Sequence, residues 1–241
     1  MFVRNRVNFL VCLIMFLAAL IMTESLTFAA PSKTVVVLFD VSESTKDPAV
    51  RGKFLSDFDK VILKKVNPGD VIAADRIAES SAAGSTLPVN HEFEGEWSSN
   101  RLKQLKQKKE IYKEAESILS NKGKVKYTDI LSSLLISERV FKSYGKERNV
   151  LVIMSDMIED SKNYNFTRER LTDKRIATII AKERKGGRLP DLKGVTVYAV
   201  KSVTCQAGED YNGIRNFWIR YLTECGARIG VAQYGPLTKF E

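Results

Sequence analysis

Residues Lys33 to Lys46 read KTVVVLFDVSESTK, and this stretch decides the fold. Five consecutive β-branched, aliphatic and aromatic residues, Val35 to Phe39, stop at Asp40, and two hydroxyls follow at Ser42 and Ser44. A short apolar run without alternation reads as a strand buried on both faces, the central strand of a parallel sheet. In open α/β sheets the functional crevice lies beyond the carboxyl ends of the strands, which is where Asp40, Ser42 and Ser44 fall. One carboxylate and two hydroxyls on one turn are hard oxygen donors of the kind that divalent cations such as Mg2+ prefer.

Outward from that strand, helical and strand signals alternate. Lys46–Asn67 carries Val50, Phe54, Phe58, Ile62 and Val66 near helical spacing and is stopped by Asn67-Pro68-Gly69-Asp70. Val71–Ile77 reads as a strand. Leu87–Phe93 reads as a third, antiparallel and near an edge. Trp97–Lys122 reads as a long charged helix with Leu102, Leu105, Ile111, Ala115, Ile118 and Leu119 mostly on one face. Its run Lys103–Lys109 reads as the solvated face, with a phosphate-binding strip as the alternative. Thr128 reads as the N-cap of a helix Ile130–Phe141. Asn149–Met154 is a second buried run, ending in Ser155 and Asp156. A helix Thr167–Arg184, a strand Val195–Val200, a helix Asp210–Glu224 and an edge strand Arg228–Val231 complete the chain. The pattern predicts an α/β class: a Rossmann-like, doubly wound, mostly parallel sheet with one antiparallel edge strand and helices on both faces.

The N-terminus has a different character. Arg4 and Arg6 precede fourteen residues from Phe9 to Met22, and small residues end the segment at Ala29-Ala30-Pro31. This is the pattern of a secretory signal peptide over residues 1–30, cleaved after Ala29 or Ala30, and it is short of the ~20 residues that cross a bilayer. The expected organisation is therefore a signal peptide, 1–30, and one domain, 31–241. The protein would be exported, periplasmic or secreted, with membrane contact only if the signal were kept as an anchor. Cys12 would leave with the peptide; Cys205 and Cys225 would remain, either bridged or as buried thiols. The net charge is +9, and about +8 without Arg4, Arg6 and Glu24. It is spread over helices, with no arginine-rich arm and no basic stretch interleaved with aromatics, so no nucleic-acid partner is expected.

Asp40, Ser42 and Ser44 leave the first strand, Thr128 begins a middle helix, and Asp156 leaves the second buried run. If those two strands are neighbours, all five side chains converge at one sheet edge. The ordered set Asp40-x-Ser42-x-Ser44, Thr128, Asp156 resembles the metal-ion-dependent adhesion site of von Willebrand factor A domains, over roughly Lys33 to Val231. Asn216-Phe217-Trp218-x-x-Tyr221 with Gly226-Ala227 is similar to bacterial members of that family. The resemblance implies that Ser42 and Ser44 ligate the cation directly and Thr128 directly or through water. Asp40 and Asp156 would act through bridging waters. Mg2+ is the favoured ion, with Mn2+ or Ca2+ as alternatives. The family usually places glycine after the fifth residue, where this chain has Met157.

The function this implies is a binding module, not an enzyme. The cation would accept an Asp or Glu side chain from a protein partner, and the loops Glu43–Asp47 and Met157–Phe166 would set specificity. Two other classes stand beside it: a metal-dependent phosphatase-like hydrolase, and a structural or assembly protein with an incidental metal. A phosphatase with Asp40 as nucleophile needs an acid two residues later, and Ser42 stands there. His91, the single histidine, reads as an ordinary surface residue and completes no Ser-His-Asp or Cys-His set.

Overall fold

Val35, Val37 and Phe39 point to one side of a central strand and Val36 and Leu38 to the other, and all five are fully buried. Each contributes roughly 1.5–3 kcal/mol by leaving water, so this strand is the heart of the core. In the computed structural model, residues 31–77, 87–93, 101–120, 125, 127–201, 211–238 and 240 are described. The segment read as a signal peptide, the loop after Ile77 and Cys205 lie outside them.

The elements in chain order are β1 (Lys33–Asp40), α1 (Pro48–Asp57), β2 (Val71–Ile77), β3 (Val89–Glu92), α2 (Arg101–Leu119), α3 (Ile130–Tyr144), β4 (Arg148–Met154), α4 (Asp173–Lys185), β5 (Thr196–Val200), α5 (Tyr211–Glu224) and β6 (Tyr234–Gly235). They build a six-stranded sheet in the order β3-β2-β1-β4-β5-β6. β3 is antiparallel to β2, and every other pairing is parallel. The sheet is thus the expected mixed, Rossmann-like α/β sheet, and its order reverses between β1 and β4, the switch point at which such folds place their sites. Residues of α3, α4 and α5 share one core layer with Val36 and Leu38, and residues of α1 and α2 share the other with Val35, Val37 and Phe39. No helix among the described residues is long and apolar enough to cross a membrane.

The expected helix Lys46–Asn67 changes winding along its length. Asp47 caps α1 by accepting the Ala49 N–H at 2.8 Å, and Pro48 occupies the first turn. A π-turn over Phe58–Ile62 and a 3-10 turn over Leu63–Lys65 follow. The spacing explains the change. Four residues of α-helix advance about 40° beyond a full turn, so a strict four-residue repeat drifts off the core face. A wider i→i+5 turn underwinds the chain and keeps Phe58 and Ile62 buried.

Three further expectations are corrected. Leu102 and Leu105 are 72% and 56% exposed; at about 100° per residue they face away from the buried Ile111, Ala115 and Ile118 seam. The helix expected from Thr167 begins at Asp173, because the Asn165 carboxamide oxygen accepts the N–H groups of Thr167 and Arg168 in a local turn and Thr172 is the cap. Arg228 forms only an isolated bridge to Thr196, and Gly230 then turns the chain into a 3-10 helix over Val231–Gln233, so the edge strand is β6 instead. Of the two alternatives for Cys225, the structure shows the buried free thiol.

At the sheet's amino edge, Lys33 and Asp70 form a buried ion pair at 3.0 Å. Asp70 also accepts the backbone N–H groups of Lys33 and Asn67, and the Lys33 ammonium donates to the Lys65 carbonyl at 2.8 Å. The two buried charges thereby neutralise each other, and removing one strands the other. Asp70→Ala is expected to cost about 3–5 kcal/mol in a urea titration.

Candidate functional site

Parallel registers align the carboxyl ends of the central strands. Asp40 pairs with Ile77 across β1–β2, and Phe39 pairs with Met154 across β1–β4. Asp40 and the Ser155-Asp156 pair therefore emerge side by side. Asp40 is fully buried: Oδ1 accepts the Ser42 N–H at 2.9 Å, and Oδ2 accepts the Ser155 hydroxyl at 2.5 Å. Thr45, also buried, donates its hydroxyl to the Asp40 carbonyl at 2.9 Å and closes a 3-10 turn over Glu43–Thr45. That turn brings the Ser42 and Ser44 hydroxyl oxygens to 3.0 Å of each other. Arg51 on α1 holds the loop from behind, donating to the carbonyls of Thr45, Val41 and Leu119.

The Thr128 N–H donates to the Asp160 carbonyl at 2.8 Å, and the Thr128 carbonyl accepts the Asp160 N–H at 3.0 Å. Thr128 is not the cap of α3. Asp129 is, accepting the Ser132 N–H at 3.0 Å. Glu159 caps the same turn from a distant loop, its Oε2 accepting the N–H groups of Ile130 and Leu131 at 2.9 and 3.2 Å. Two carboxylates thus occupy the positive end of the helix dipole and leave the Thr128 side chain free of capping duty. Asp156 accepts the Ile158 N–H at 2.9 Å in a local turn.

Met157 is fully buried with φ +66°, a left-handed conformation that costs a non-glycine residue on the order of 1–2 kcal/mol. Two contacts hold it there. Its N–H donates to the Ser155 hydroxyl oxygen at 2.9 Å, and its carbonyl accepts the Trp218 indole N–H at 2.7 Å. The backbone therefore takes the shape glycine would favour, stabilised from α5. Trp218 itself is packed against Phe217, Tyr221 and Phe166.

Burial, and then the neighbouring Asp156, push the Asp40 carboxyl up to about 6. Burial and then Asp129 push Glu159 well above the usual carboxylate range. Among the described residues no three His, Cys, Asp or Glu side chains are arranged to hold a metal; the donors at this edge are carboxylates and hydroxyls. Their chemistry fits a hard divalent cation on two counts. The carboxylate and hydroxyl oxygens are hard donors of the kind a divalent cation prefers. Two neighbouring carboxylates with this mutual repulsion also create the negative potential that a cation relieves. His91 lies away from the site on β3, half-buried, with its Nε2 at 2.6 Å from Glu114.

Of the residues expected from sequence, Asp40, Ser42 and Ser44 are linked by hydrogen bonds and Asp156 couples to Asp40 electrostatically, whereas the Thr128 backbone pairs with Asp160, outside the expected set. Sequence reasoning gave no role to Ser155, Thr45, Arg51 or Glu159. Ser155 carried a signal, as the polar residue ending a buried run. Arg51 and Glu159 carried none, because their partners are distant in the chain.

No family model and no curated protein sequence matches this chain. Among solved structures it is similar to the manganese-loaded TRAP protein of Plasmodium vivax, at 10% identity and a TM-score of 0.43 over 85% of this chain and 67% of that one. It is also similar to a von Willebrand factor type A protein from Catenulispora acidiphila, at 10% identity and 0.44 over 82% and 43%. A third likeness is to three N-terminal domains of the type V pili tip protein Mfa5 from Porphyromonas gingivalis, at 13% and 0.38 over 73% and 29%. The chain thus spans less than half of the last two. All three scores are low, and the fold assignment rests on the strand order and ladder directions.

Two measurements check this geometry. A carboxyl raised by folding binds more protons folded than unfolded between about pH 4 and 6, so Asp40 lowers stability as pH rises through that window, by on the order of 3 kcal/mol without a cation. Asp40→Asn is expected to flatten that slope in chelator-treated thermal melts. Trp218→Phe, which leaves the Met157 carbonyl unpaired, is expected to cost about 1–3 kcal/mol by urea titration.

Proposed function

We propose that the chain is an exported binding module of the von Willebrand factor A type. It uses a divalent cation, Mg2+ in preference to Mn2+ or Ca2+, to dock an Asp or Glu side chain of a protein partner. Residues 1–30 are its signal peptide and 31–241 its binding domain. The observation that carries the reading is the Ser42–Ser44 hydroxyl pair beside the buried Asp40 carboxylate at the β1–β4 switch point.

In this reading Ser42, Ser44 and Thr128 would hold the cation, and Asp40 and Asp156 would act on it through bridging waters. Asp40, whose two oxygens already accept hydrogen bonds from Ser42 and Ser155, supplies charge and fixes the loop. The bound ion supplies a Lewis-acidic position for an incoming carboxylate. Ser42 through its hydroxyl, Asp40 through its charge and Met157 through its shape keep the loops that surround that position in place. The exposed loop residues Glu43, Ser44 and Lys46 border it. A binding role also agrees with the absence of an acid at position 42, the place a phosphatase-like mechanism would need one.

Titration calorimetry of the full chain with Mg2+ and Mn2+ tests this reading. One site is expected, weakened ~10–100-fold by Asp40→Ala or Ser42→Ala. Capture of a partner from envelope extract should be lost in chelator. Ion binding unchanged in both variants would overturn the assignment.

A further inference from the structure

α2 splits into two halves with opposite relations to the sheet. From Ile111 onward it buries Ile111, Ala115, Ile118 and Leu119 in the core. Ahead of Ile111, every residue from Arg101 to Glu110 is exposed or half-buried, a ridge of about 15 Å at the helical rise. At about 100° per residue, Leu102, Leu105, Lys106, Lys109 and Lys113 fall on one face, opposite the buried seam, and all five are exposed. From Arg101 to Lys109 the helix carries five cations and no anion, Glu110 being the first acid.

We infer that this ridge docks on the surface of an anionic lipid bilayer. The chemistry selects that occupant. Two leucines standing on the crest of a convex helix, with lysines along the same face, match an interface whose outer layer is anionic and whose next layer is apolar. The lysine stems lie along the surface with their ammonium groups at headgroup phosphates, while the leucines enter the acyl boundary. A soluble polyanion would satisfy the lysines and gain nothing from the leucines.

The ridge also lies at the end of the molecule remote from the candidate site. Gln107 donates to the Glu92 carbonyl at 3.2 Å, and the Lys108 ammonium donates to the Leu63 carbonyl at 2.6 Å, both at the amino edge where β1 begins. The other end of α2 reaches the site edge, where Arg51 bridges the carbonyls of Leu119 and Val41. A molecule seated on the ridge presents Asp40, Ser42 and Ser44 away from the bilayer. The two features rest on different residues, so failure of cation binding leaves this inference intact, and the converse also holds.

Hydrogen exchange of the full chain, read on the peptides spanning 101–113, tests it with vesicles of phosphatidylcholine alone and of phosphatidylcholine mixed with phosphatidylglycerol. Exchange is expected to slow only on the anionic vesicles and to recover in high salt. Binding should weaken roughly fivefold for each lysine removed in the series Lys106→Gln, Lys109→Gln and Lys113→Gln, and protection should be lost in Leu102→Ser/Leu105→Ser. No slowing on anionic vesicles, or equal slowing on neutral ones, overturns the inference. So does protection that polyglutamate also confers and that survives in Leu102→Ser/Leu105→Ser, which would make the ridge a polyanion strip.

Discussion

A buried carboxylate at the end of the central strand is the constraint around which this molecule is arranged. Asp40 sits with no solvent exposure between two parallel neighbours, and nearly everything at that edge exists to receive it. The Ser42 N–H and the Ser155 hydroxyl each donate to one of its oxygens, the first from its own loop and the second from the adjacent strand's. Those bonds tie the β1 and β4 loops into one object. Ser155 in turn receives the Met157 N–H, and Met157 is held by Trp218, so the chain of contacts runs from Asp40 to the last helix. An ionised carboxylate in that position is costly, and the raised Asp40 pKa expresses that cost.

Much of this was legible in the sequence, for physical reasons that differ from place to place. Val35–Phe39 and Val150–Met154 are apolar on both faces because helices cover both sides of the sheet, and such runs announce themselves. The antiparallel edge strand was legible from alternation and short connections. Thr128 misled as a cap although the adjacent Asp129, an equally good or better capping residue, takes that place; the second partner of the helix start, Glu159, lies 29 residues from Ile130 and left no local signal. The π-turn was written in the strict spacing from Val50 to Ile62, but only as a conflict with α-helical geometry. The spacing at about 100° per residue already set Leu102 and Leu105 apart from the Ile111, Ala115 and Ile118 seam, and grouping them with it on one face overlooked that rotation.

Seen from the sheet, the molecule has two chemically distinct ends. The carboxyl end gathers the buried Asp40 and Asp156 carboxyls beside the Ser42 and Ser44 hydroxyls. The amino end carries the buried Lys33–Asp70 pair, and beside it the cationic first half of α2. α2 spans the two, packed on the core at one end and projecting at the other.

The position of β1 has one more consequence. It is laddered to β2 and β4 along its whole length, pinned at Lys33 by Asp70 and at Asp40 by Ser155. A pull on the chain at Lys33, directed along the strand, loads both ladders in shear. Their hydrogen bonds, lying across the direction of pull, share the tension instead of parting one after another as in a peeled hairpin. A domain held at the start of that strand and loaded at the sheet's carboxyl edge would resist force best along the line between the two.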